Sequence, residues 1–147
     1  MRKTFLVLAL LAALTLPLYA VGTVVVTTTQ YAGLNGANRV RYAVAWTATA
    51  GGDVSGNAFS TVRGKLLSVK FVPGTAGDIP SDLYDVTMVD GNGIDLLNGA
   101  GQNLSHDLGS YVVYNPPIYL DGTGTLDFVI ASAGASTKGT IYIWVEQ

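Results

Sequence analysis

Residues 84–101 read YDVTMVDGNGIDLLNGAG: a short alternating run, a cluster of Asp, Gly and Asn, then a second apolar run. Side chains of an extended chain alternate with a period of two, so Tyr84, Val86 and Met88 share one face and Asp85, Thr87 and Val89 the other. Asp90-Gly91-Asn92-Gly93 supplies residues that tolerate positive φ and bond their own backbone, which predicts a tight reversal. Ile94, Leu96 and Leu97 are then expected to return apolar surface to the core. This is the pattern of the centre of a β-sheet domain.

Outward from that stretch the same period recurs. In Arg39–Ala48, Val40, Tyr42, Val44 and Trp46 alternate with Arg39, Arg41, Ala43, Ala45 and Thr47. Lys65–Val72 places Leu67, Val69 and Phe71 inward and Ser68 and Lys70 outward. Tyr111–Tyr114 reads as a short strand stopped by Asn115-Pro116-Pro117, and Leu126, Phe128 and Ile130 mark another after the turn Asp121-Gly122-Thr123-Gly124. Asn35-Gly36 marks a further turn. Thr140–Val145 is apolar on both faces, with Ile141, Ile143 and Val145 against Tyr142 and Trp144; such a strand is buried on both sides or shared with a partner. About eight short strands at intervals of about 8 to 15 residues, with no helical periodicity after the leader, predict an all-β fold, a single jelly-roll-like β-sandwich.

The chain has 147 residues and no cysteine, enough for one domain with a core that does not depend on disulfides. Residues 1–20 stand apart. Arg2 and Lys3 precede an apolar run from Phe5 to Leu18 and a small residue, Ala20, the layout of a signal-peptide-like leader helix. About 14 apolar residues fall short of the roughly 20 that span a bilayer, so the membrane is a partner only through an uncleaved leader. The domain is then 21–147. It carries six Lys and Arg against ten Asp and Glu, 6 − 10 = −4, which disfavours nucleic acid as a partner.

Val21–Tyr31, VGTVVVTTTQY, contains no charge. It is an extended arm that pairs either as the first strand of its own domain or with a neighbouring subunit, since an unpaired uncharged strand aggregates. Val24, Val26 and Tyr31, with Tyr142 and Trp144 of the last strand, are the candidate subunit contacts of a homo-oligomer, a trimer or polymer. Tyr111, Tyr114 and Tyr119 are the candidate ligand platforms of an alternative, a secreted carbohydrate- or surface-binding module.

No residues assemble a recognisable catalytic set, and no cofactor is implied; the expectation is a protein that is not an enzyme. Asp90, Asn92 and Asp95 are weak candidates for a cation. The EF-hand pattern fails, because the sixth position is Asp95 rather than glycine and the twelfth is Gly101 rather than glutamate. Ser105, His106 and Asp107 are sequence neighbours, whereas a working triad gathers residues from distant parts of a fold. Asp85 and Asp127 are the pair that, facing each other across strands, would suit glycoside hydrolysis.

Three pieces, GKLLSVKFVP (64–73), PSDLYDVTMVDGNGIDLLNGAGQNLS (80–105) and KGTIYIWV (138–145), resemble small proteins encoded by tailed phages and prophages. The resemblance is one of strand and turn pattern. It implies a virion component such as a capsid decoration or fibre subunit, oligomeric and without enzymatic activity. The leader departs from that pattern, since capsids assemble in the cytoplasm, and it leaves a cell-surface or extracellular filament protein beside the virion as an expectation.

Overall fold

The computed structural model describes residues 22–32, 38–60, 62–121 and 125–147. The leader at 1–20 and the turns expected at 35–36 and 122–124 lie outside the described residues. Eight strands and no helix form among the described residues: β1 (Thr23–Ala32), β2 (Asn38–Thr47), β3 (Val54–Ser60), β4 (Arg63–Pro73), β5 (Asp85–Val89), β6 (Ser110–Asp121), β7 (Thr125–Ala131) and β8 (Lys138–Glu146). They build two antiparallel sheets, one ordered β1-β2-β8-β4-β6 and one ordered β3-β7-β5.

The buried faces of both sheets feed one hydrophobic cluster. Val44, Val69, Phe71, Ile141 and Ile143 enter it from the five-stranded sheet, and Val86, Met88, Phe128 and Ile130 from the three-stranded one. Tyr84, Val86 and Met88 are buried as their alternation requires. Trp46 crosses the neighbouring strand opposite Gly139. A side chain at Gly139 would place its Cβ 2.5 Å from the Trp46 ring, so glycine is what lets the indole lie flat there.

β8, the last strand, is the middle strand of its sheet, between β2 and β4. Its two apolar faces have different reasons: Ile141, Ile143 and Val145 are buried in the core, while Tyr142 and Trp144 lie half-buried on the sheet's outer face. β1, expected either in its own domain or in a neighbour's, pairs with β2 of the same chain from Thr23↔Thr47 to Ala32↔Asn38.

The structure departs from expectation at three places. The β4 register shifts between Leu66 and Ser68, so Leu66 rather than Leu67 is the buried residue; a bulge inserts one residue and restores the alternation beyond it. β6 does not stop at its prolines. It resumes pairing after residues 114–117, which stand opposite the β4 bulge, and the bond Asn115-Pro116 is cis; an edge strand tolerates proline because its outer N–H positions need no partner. Ile94 is exposed, not core, while Leu96 and Leu97 are buried as expected.

The segment after β5 forms no second strand of a hairpin. Asp90 Oδ1 accepts the N–H of Asn92 and of Ile94, each at 2.9 Å, and closes the reversal. The chain then runs along the outer edge of β5: Leu96 N–H donates to Met88 O, Val86 N–H to Gly101 O and Leu104 N–H to Tyr84 O, at 2.8–2.9 Å. That edge is thereby satisfied without a further strand.

Candidate functional site

Each catalytic arrangement considered from sequence is dispersed. Ser105 Oγ donates to Asp107 Oδ1 at 2.6 Å, while His106 turns away, its Nδ1 3.2 Å from Asp82 Oδ1. The imidazole holds the Asp82 carboxyl below the usual carboxylate range. Asp85 stands opposite Ala131 and Asp127 opposite Val89, four register positions apart. That is roughly 13 Å along the strands, beyond the roughly 5–9.5 Å of paired glycosidase carboxylates.

The cation candidates are engaged within their own turns. Asp90 is held as described above, and Asp95 accepts the N–H of Leu97 through Oδ1 and of Gly99 through Oδ2, each at 3.0 Å. Asn92 is exposed at the tip of the turn, its backbone N–H on Asp90. Among the described residues no three His, Cys, Asp or Glu gather as a metal site.

What the fold does assemble is the outer face of the five-stranded sheet. The registers lay side chains in rows across it. One row runs Thr29, Arg41, Trp144, Ser68, Val113, and the next runs Thr27, Ala43, Tyr142, Lys70, Tyr111. Tyr111 meets the Trp144 ring edge-on with centroids 6.1 Å apart, and its hydroxyl donates to Ser68 Oγ at 2.9 Å. Tyr142 packs against Trp144 at 5.9 Å. The Arg41 guanidinium lies between the rings of Tyr142, 5.2 Å away, and Tyr31, 5.9 Å away. Lys65 lies 5.9 Å from the centre of the Tyr119 ring, the most exposed large hydrophobic side chain among the described residues at 76%.

Of the expected contact residues, Tyr31, Tyr142 and Trp144 therefore come together on one surface. Val24 and Val26 do not: they point the other way and pack against the core, because β1 completes its own sheet. Tyr111 and Tyr119 share the outer face, but Tyr114 turns inward. Its hydroxyl donates to Leu96 O at 3.1 Å, and burial, aided by Asp95, pushes the phenol up to about 12.

Charge is sorted by the same geometry. All six Lys and Arg among the described residues, Arg39, Arg41, Arg63, Lys65, Lys70 and Lys138, occupy outward positions on β2, β4 and β8. Glu146 stands among them, 3.4 Å from Lys65 and 4.0 Å from Arg39, and Asp121 stands opposite Arg63. The other eight acids, Asp53, Asp78, Asp82, Asp85, Asp90, Asp95, Asp107 and Asp127, lie on the three-stranded sheet or in loops. Of these Asp78 reaches the basic face, 3.0 Å from Lys138. Counting Glu146 and Asp78, the described side chains of the face carry 6 − 2 = +4, and the seven remaining acids, −7, lie on the three-stranded sheet or in loops. Spacing alone did not reveal this; it follows from the parity of each strand once the sheet order is known.

β1 borders this face. Its far edge meets no strand among the described residues, and its ten residues carry no charge, proline or register shift. In an antiparallel strand alternate residues turn both backbone groups to the same side, so about five residues of β1 present N–H and C=O outward. The edges of β5 and β6 differ, one covered by the 94–104 segment and the other interrupted at its prolines.

Comparison of the chain with protein-family models, curated proteins and solved structures finds no match.

Proposed function

We propose that the protein is a non-enzymatic structural subunit, a jelly-roll-like β-sandwich that assembles with copies of itself in a phage-like virion or an extracellular fibre. The observation that carries this reading is the juxtaposition of an uncharged ten-residue edge strand with an aromatic outer face. Natural sheets protect such edges with lysine, proline or bulges; β1 has none of these, and Val25 on it is 60% exposed. Deleting β1 is an unsuitable test, because Val24 and Val26 belong to the core packing. Val25→Lys and Trp144→Ser instead alter the edge and the face from outside. Both variants should fold and assemble less than the unmodified chain; undiminished assembly by both would refute the reading.

Tyr111 and Tyr119 favour a second reading, since rings 57% and 76% exposed on one face are also how a sheet presents stacking platforms to sugars. A glycan array separates the two. Binding lost in Tyr119→Ala supports a carbohydrate module, and no binding above background removes it.

A further inference from the structure

The outer face of the five-stranded sheet holds every Lys and Arg among the described residues, while seven acids, Asp85 and Asp127 on the three-stranded sheet among them, lie away from it. The molecule is polar in the electrostatic sense. Of the three buried side-chain atoms without a hydrogen-bond partner among the described residues, two stand on opposite sides of it: Arg41 Nε on the outer face of the five-stranded sheet, and Asp127 Oδ1 on the three-stranded sheet, where Leu126 and Phe128 turn inward and Asp127 outward. Buried polar groups are nearly always paired in folded proteins, so each of these calls for an explanation. Arg41 lies against the rings of Tyr31 and Tyr142 and its Nη2 donates to Thr29 Oγ1 at 3.3 Å; a guanidinium so oriented presents a planar fork to a carboxylate.

We propose that the partner of this face is a second copy of the chain, docked face to back: the basic aromatic face of one copy against the acidic outer side of the next copy's three-stranded sheet. This rests on the self-assembly reading above and specifies its geometry. The outward positions of β5 and β7 carry Asp85 and Asp127 and no Lys or Arg, so one contact leaves a basic face and an acidic back open at the ends of the pair. Such a heterologous contact repeats into a filament or closes into a ring. A contact of the basic face with another basic face is disfavoured by repulsion.

The test uses Arg41→Glu as a front variant and Asp127→Lys as a back variant, both expressed from the full-length sequence. Light scattering is recorded at low and high salt. The unmodified chain should associate more weakly as salt rises, and each variant alone should associate roughly tenfold more weakly than it. Mixed in equal amounts, the two should regain association, because the intact back of one meets the intact front of the other. If thermal melting shows Arg41→Glu to be unfolded, Lys70→Glu on the same face replaces it. Association of either variant equal to that of the unmodified chain, or a mixture that regains nothing, overturns the face-to-back contact and leaves self-assembly standing. An unmodified chain that stays monomeric at every concentration overturns both.

Discussion

Replacing Gly139 by alanine tests the contact that ties β2 to β8. The added Cβ would lie 2.5, 2.6 and 2.8 Å from Cζ2, Cε2 and Nε1 of Trp46. Carbon atoms in good contact stand about 3.5–4.0 Å apart, so the indole must move by about 1 Å. It has little room: Trp46 is 2% exposed, and its ring packs against Tyr84 at 5.9 Å. Overpacking of this kind costs about 1–3 kcal/mol. For a chain of this length that is a fall in Tm of about 4–12 °C, read by circular dichroism. Trp46→Phe leaves a cavity where the indole was, so Gly139→Ala should cost less in that background than alone, a coupling that a double-mutant cycle measures. An unchanged Tm for Gly139→Ala, or strictly additive effects, would refute the placement of Trp46 across Gly139 and with it the register of β2 on β8.

Asp95→Ala removes the acceptor of two backbone N–H groups and should cost about 1–3 kcal/mol in denaturant unfolding; a change within a few tenths would mean that the turn holds without it. Asp127→Asn removes an outward charge whose Oδ1 has no hydrogen-bond partner among the described residues and should leave the stability within about 0.5 kcal/mol of the parent in denaturant unfolding; a loss of several kcal/mol would reveal an intramolecular role. Burial pushes Tyr84 up to about 12, and Tyr114 likewise with help from Asp95. Both phenols are raised above their unfolded value of about 10, so their stabilisation is complete below that pH and is lost as the pH climbs towards 12. Near-ultraviolet absorbance should therefore show late ionisation that Tyr84→Phe and Tyr114→Phe each reduce; ionisation of all the tyrosines in one early step would contradict the burial.

The strands were legible wherever period-two alternation met a core face. Tyr84, Val86 and Met88, the Val40–Trp46 set and Ile141–Val145 are buried on the faces their spacing indicates, apart from the half-buried Tyr42. What spacing could not supply depends on partners distant in the chain. The β4 shift that substitutes Leu66 for Leu67 arises where β6 carries its extra residues, and β6 continues past Pro117 because β4 offers it a second stretch of pairing. Ile94 belongs to a turn whose geometry is set by Asp90, not to a strand with an inner face. The site was half legible for the same reason. Tyr142 and Trp144 alternate visibly, but that they meet Arg41, Tyr31 and Tyr111 follows only from β8 being the middle strand. The parity of Val24 and Val26 was visible too, although which face of β1 meets the core was not.

The most direct test of the account is the mass of the purified protein in solution, measured by size-exclusion chromatography with light scattering over a range of concentrations. A mass that grows with concentration, or settles at a multiple of the single chain, is the predicted result. A single chain of unchanging mass at the highest concentration would contradict it.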